Sequence, residues 1–247
     1  MDRLVYTAMS GAKSMLDRQA MVANNLANVS TPGFRADVSV YRAIPVDGQG
    51  LATRTSVLES TPGADFSTGP RVDTGRALDI AITGRGWIAV EGADGNEAYT
   101  RAGGFEISSE GALVTRNGRN VLGDGGPIAI PPNTTVSIGR DGTVSVVPTQ
   151  PPFTSITVLG RIKLVDPEET AMQKGLDGLF RLKDGSSADV EEKVSVTSGT
   201  LESSNVNPAA AMVDMIALAR QFEMQMKLIQ HGEDNDKQAT QLLNVAG

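Results

Sequence analysis

Met212, Met215, Ala219, Phe222, Met226 and Ile229 recur at alternating steps of three and four. That is the a/d spacing of a heptad seam on a helix. A second row, Val213, Ile216, Ala217 and Leu228, widens the seam into a broad apolar face. Asn207 suits the N-cap position, because its side-chain oxygen can accept from free N–H groups of the first turn. Pro208 falls at the first helical position, where its missing N–H costs nothing. A helix from Pro208 to about Gln230 would be roughly 35 Å long at 1.5 Å per residue. Such a face needs a partner helix.

The other end of the chain supplies one. Val5, Met9, Ala12, Leu16, Gln19, Ala23 and Leu26 step by four and three, which predicts a helix over residues 2–29. Lys13, Ser14, Asp17 and Arg18 fall largely on the opposite side. Ser30-Thr-Pro-Gly33 ends it, since Pro32 drives Thr31 out of the helical region and Pro-Gly suits a type II turn. Two heptad-like helices at the two termini point to a coiled-coil-like pair. Asn24, Asn25 and Asn28 crowd the last turns, although asparagine is a mediocre helix former. They read as amides that hydrogen-bond neighbouring chains in a helical bundle.

Between the helices, residues 34–76 are rich in turn signals, including a second Ser60-Thr-Pro-Gly63. They read as an extended arm, with Val38–Ala43 and Arg54–Leu58 as short strands. From Ala77 to about Val196 the period becomes two. Asp94-Gly95, Asn117-Gly118 and Asp141-Gly142 each lie between apolar or β-branched runs, the strongest short hairpin cue. Many short strands and no βαβ alternation indicate a mostly antiparallel sandwich or barrel-like domain. The predicted class is α+β: an N-terminal helix (1–33), an arm (34–76), a β core (77–200) and a C-terminal helical segment (201–247).

Chemistry finds little to work with. The 247 residues include no cysteine, so thiolate catalysis, disulfides and Cys-based zinc sites are excluded. A net charge of −7 without a dense basic run argues against a nucleic-acid surface or an anionic membrane, and direct membrane insertion is not expected because no apolar run approaches the roughly 20 residues of a span. His231, the one histidine, sits in a polar segment and reads as a solvated residue near a helix C-terminus. Glu168-Glu169 and Glu191-Glu192 could be offered as hydrolase carboxylates, but solvated loop charge is the better reading because catalytic carboxylates need a partly apolar setting. Neither catalytic residues, nor a metal, nor a cofactor is expected.

Asn24-Asn-Leu-Ala-Asn-Val-Ser-Thr-Pro-Gly-Phe-Arg35 resembles the N-terminal signature of the bacterial flagellar rod and hook proteins. Ala77–Val90, Tyr99-Thr-Arg101, Gly111–Thr115 and Val121-Leu-Gly123 are similar to that family's β core. Leu201-Glu-Ser-Ser-Asn205, running into Met212-Val-Asp-Met-Ile216, is similar to its lead-in to the C-terminal helix. Trp87 stands where many members carry phenylalanine. The resemblance implies a structural subunit rather than an enzyme, exported unfolded through the flagellar type III apparatus without a cleaved signal. It implies a place in the periplasmic rod of the basal body, in a hollow helical shaft that transmits torque. Partners would be further copies and other rod proteins of the FlgB, FlgC and FlgG types. The proximal part of the rod is the first choice and the distal rod the alternative; a secreted coiled-coil adhesin is a more distant one. The implied interface residues are Val5, Met9, Ala12, Leu16, Ala23, Asn24, Asn25, Leu26 and Asn28 on the first helix. On the second they are Met212, Met215, Ile216, Ala219, Phe222, Met226 and Ile229, with Pro32, Gly33 and Phe34 forming the signature turn.

Overall fold

Residues 2–45, 55–149 and 156–245 are described in the computed structural model. The class is α+β, with two long helices and mostly antiparallel strands. The chain divides into two compact units: Met1–Ala27, Asp37–Gly63 and Asn207–Gly247 in the first, Asn28–Ala36 and Ala64–Val206 in the second.

The first unit holds α1 (Asp2–Ala27), α2 (Pro208–Val245) and a pair of strands, β1 (Asp37–Pro45) and β2 (Thr55–Ala64). The two helices lie against each other. The predicted cap forms: Asn207 Oδ1 accepts the N–H groups of Ala209 at 3.0 Å and Ala210 at 3.2 Å. Pro208 is the first helical residue. The far end differs from expectation. α2 does not stop near Gln230 but runs for 38 residues, about 57 Å. Exposed His231 is therefore mid-helix, not terminal. Gly232, Asp234, Asn235 and Asp236 are poor helix formers, but the good formers Lys237, Gln238, Ala239, Gln241, Leu242 and Leu243 follow them and the helix continues.

The arm is no loose connector. Val38–Ala43 lies within β1 as predicted, and β2 begins at Thr55, Arg54 being outside the described residues. The second Ser60-Thr-Pro-Gly63, expected as a turn, lies inside β2. A two-stranded pair leaves one edge of each strand free, and edge strands are where proline is tolerated in sheets.

In the second unit the strands gather into small sheets. The largest has the order Leu164–Val165, Trp87–Glu91, Glu97–Thr100, Phe180–Leu182, Met172–Lys174. A three-stranded sheet joins Thr134–Ile138, Thr143–Pro148 and Thr157–Arg161. The core beneath includes Ile80, Ile88, Phe105, Leu113, Val144 and Leu164. A second cluster centres on Trp87, Tyr99 and Phe180. Its Trp87 and Phe180 rings stand 4.5 Å apart, and burial pushes the Tyr99 phenol well above its ordinary pKa.

The Asp-Gly hairpin cues hold, and two of them extend to a four-residue motif. Gly92-Ala-Asp-Gly95, Gly139-Arg-Asp-Gly142 and Gly175-Leu-Asp-Gly178 build one and the same turn. In each, the first glycine's N–H meets the carbonyl four residues on at 2.8 Å, and the last glycine's N–H returns to the first at 3.1 Å. The aspartate Oδ1 accepts the N–H two residues ahead, at 3.3, 3.1 and 3.2 Å. The last glycine has φ of +74, +83 and +77°, which an L side chain rarely adopts.

These bonds hold the three carboxylates below the usual aspartate range. The main causes are the Asn96 amide for Asp94, the Thr143 hydroxyl for Asp141 and the Arg181 guanidinium for Asp177. A depressed pKa adds stability that is complete above about pH 4 and is lost as pH falls through the folded value. Asp177→Asn should therefore flatten the acid limb of thermal stability, read as the melting midpoint between about pH 5 and pH 2. Asn207→Ala should lower the stability of the helical unit by about 1 kcal/mol, measured by chemical denaturation followed by circular dichroism.

Candidate assembly surface and the junction of the two termini

Each helix turns one row of residues inward. Along α1 the buried or half-buried positions include Ala8, Ala12, Met15, Gln19, Val22 and Leu26; along α2 they include Ala211, Met215, Leu218, Phe222, Gln225, Ile229 and Gly232. Both rows step by four and three. They share Ala12, Gln19, Leu26, Met215, Phe222 and Ile229 with the predicted seam and differ by one residue at the alternate positions. The rows mix small residues (Ala8, Ala12, Ala211 and Gly232) with larger ones (Val22, Leu26, Met215, Leu218, Phe222 and Ile229). At Gly11 the Gln225 amide lies 3.5 Å from where a Cβ would stand.

The other apolar residues predicted for the helix faces point elsewhere. Met9 is 53 % exposed, Leu16 49 %, Met212 53 % and Ile216 56 %; Ala23 and Met226 are also exposed, and Ala219 is half-buried. The Val5 side chain lies outside the described residues. Tyr6, Val213, Met224 and Leu228, which heptad spacing did not single out as contacts, join the exposed set. The helical unit thus presents a long apolar surface that its own fold does not cover, the kind that marks an interaction site.

The asparagines bond within the chain. Asn25 is buried; its Nδ2 donates to the Asp37 carbonyl at 2.9 Å and its Oδ1 accepts the Asp37 N–H at 2.7 Å. Asn24 Nδ2 donates to Asp37 Oδ2 at 2.6 Å. Asn28 Oδ1 accepts from the Thr31 hydroxyl at 3.1 Å. A pair of amide bonds thereby ties the end of α1 to the start of β1.

The signature turn belongs to the second unit and is sunk into it. Gly33 has φ +71°, and a Cβ there would collide with the Arg101–Ala102 peptide, so only glycine fits. Its N–H donates to the Glu202 carbonyl at 2.8 Å. Phe34 lies under Lys174 Nζ, 4.0 Å from the ring centroid, and Pro32 is half-buried.

Next to the turn, Arg35 and Glu202 are 1 % and 2 % exposed. Arg35 Nη1 stands 2.6 Å from Glu202 Oε1, close but not aligned as a hydrogen bond. Arg101 Nη1 takes the other oxygen at 3.1 Å, and Arg101 Nη2 donates to the Gly84 carbonyl at 2.8 Å. Both guanidinium groups lie over Trp87, at 5.9 and 5.5 Å from the ring. Asn205 completes the junction, its Oδ1 accepting the Ala36 N–H and its Nδ2 donating to the Asp65 carbonyl. The turn after α1 and the segment leading into α2 are so held side by side.

Sequence reasoning quoted Arg35, Arg101, Glu202 and Asn205 as motif letters without giving them a role. The available signal was that charged residues stood inside stretches otherwise fixed by backbone shape. Glu168, Glu169 and Glu192 are exposed and Glu191 half-buried. Among the described residues no three metal-ligating side chains come together, and no helix is long and apolar enough to cross a membrane.

Comparison with known proteins matches this architecture at both ends and in the middle. Residues 5–35 match the model of the flagella basal body rod protein family, residues 81–146 the flagellar hook protein FlgE/F/G D1 domain, and residues 197–242 the flagellar basal body rod FlgEFG protein C-terminal family. The flagellar basal-body rod protein FlgF of Salmonella typhimurium is 46 % identical over all of both chains, as is that of Escherichia coli. The rod protein FlgG of Bacillus subtilis is 31 % identical over 92 % of this chain and 94 % of its own. The chain belongs to the flagellar basal-body rod protein family, and its similarity is greater to these FlgF proteins than to FlgG.

Removing one partner of a buried ion pair strands the other charge at a cost of about 3–5 kcal/mol. Glu202→Gln, which leaves two buried guanidinium groups without their carboxylate, should destabilise the second unit by about that much, measured by denaturant unfolding followed through Trp87 fluorescence.

Proposed function

We propose that this chain is a structural subunit of the proximal rod of the flagellar basal body, built into a hollow shaft through its two terminal helices. The reading rests on one observation above all: α1 and α2 each bury one row of side chains and leave Met9, Leu16, Met212, Val213 and Ile216 exposed. In the shaft the helices of one molecule act as a coiled-coil-like pair, and those outward residues meet copies and other rod proteins of the FlgB, FlgC and FlgG types. Covering them then stabilises the subunit by mass action, which a free monomer lacks.

The remaining parts of the proposal follow from family membership. The chain travels unfolded through the flagellar export apparatus and takes up its fold in the periplasm, where the shaft carries torque. The proximal position is favoured over the distal one because 46 % identity to FlgF proteins exceeds the 31–33 % to FlgG proteins.

Met212→Glu with Ile216→Glu separates assembly from folding. Both positions are exposed, so stability should change by no more than about 0.5 kcal/mol each, while carboxylates in a packed helical tube should stop rod growth. The expected result is a folded, exported protein absent from purified basal bodies, and non-motile cells. Normal basal bodies by electron microscopy, with the double variant as the sole copy, would reject the reading.

A further inference from the structure

Beside the signature turn the second unit carries a groove of about 330 Å³. Its apolar lining includes Pro32, Val90 and Leu179, and the hairpin turn after Leu113–Thr115 adds Arg116, Asn117 and Arg119. Positive charge here is poorly matched. Arg116 shares the buried Asp79 carboxylate with Arg76, at 3.7 and 3.8 Å. The charge of Arg119 acts on Asp177, which Arg181 already holds through two bonds at 3.1 and 2.9 Å. The groove thus suits a segment that carries carboxylates around one apolar side chain.

The same unit displays such a segment. Asp189-Val-Glu-Glu192 places three carboxylates and one exposed valine in four residues. Among the described residues none of the three carboxylates is in an ion pair. The segment lines no part of the groove in its own molecule.

We propose that the groove of one copy receives the Asp189–Glu192 segment of the next copy. Val190 seats on Pro32 and Leu179, while the flanking carboxylates face Arg116 and Arg119. Donor and acceptor are different patches on one surface, so the contact is heterologous and repeats without closing, as a helical array requires. Placing copies next to one another rests on the rod reading above.

The absence of cysteine makes the test clean. Asn117→Cys on the groove and Val190→Cys on the segment, combined in one chain expressed as the sole copy, should give covalent multimers when isolated basal bodies are treated with a short bis-maleimide. Each single variant should remain monomeric, and the two singles expressed together should give dimers only. An incorporated double variant that stays monomeric, or that links only to a different protein, overturns the proposal. Should the double variant not incorporate, charge exchange decides. Arg119→Glu should cut incorporation at least about tenfold, the scale of losing one charge pair at an interface, and Glu192→Lys in the same chain should restore it. Failure of that rescue overturns the proposal as well. Absence of the wild-type chain from basal bodies would instead reject the rod reading.

Discussion

One carboxylate organises the second unit. Glu202 meets Arg35 through one oxygen and Arg101 through the other, with the Trp87 ring against both cations. Desolvating three charges is expensive, and the arrangement persists because each has a partner and little room to leave. Around that pair the Gly33 N–H, the Asn205 amide and the Lys174 ammonium fix the backbone of residues 33–36. The two ends of the β unit are joined by electrostatics at a point where apolar packing alone would not specify register. Tryptophan at 87 suits this place, since its larger face attracts a cation more strongly than phenylalanine does.

Local features were legible in the residues, and distant ones were not. The Asn207–Pro208 helix start, the stop at Ser30–Gly33 and the Asp-Gly and Asn-Gly hairpins all follow from short-range backbone chemistry, and each is where the pattern put it. The row of contacts along the helices was only half legible. Heptad spacing leaves neighbouring positions open, and Ala8, Met15, Val22, Ala211, Leu218 and Gln225 turn inward in place of Met9, Leu16, Ala23, Met212, Ala219 and Met226, a rotation settled only once a second helix is in place. The Glu202 cluster was invisible because its members are far apart in the chain, and a charged residue within a motif looks like any solvated one. The length of α2 was missed for the opposite reason: a polar run rich in Gly, Asp and Asn was taken for a stop, although good helix formers follow it.

The helical unit divides its apolar residues by destination. Ala8, Ala12, Val22, Ala211 and Leu218 serve the contact inside the molecule. Tyr6, Met9, Leu16, Met212, Ile216 and Met224 lie outside it, and the methionines there are flexible enough to fit more than one neighbour. That combination suits a subunit whose neighbours are partly copies of itself and partly related proteins. A shaft needs each helix to be satisfied from several sides, and one molecule supplies only the first of them.

The junction also governs when the fold can be completed. Ala36 and Asn205, which share a hydrogen bond, are 169 residues apart, and Arg71–Asp73 pairs with Thr200–Glu202. The Gly-x-Asp-Gly hairpins close over a few residues and can form at once, whereas closing so long a loop comes late. A polypeptide threading out amino end first would carry its signature turn unanchored until some four-fifths of its length had emerged. Only then can Glu202 reach Arg35 and Arg101, so the junction is the last part of the second unit to be secured.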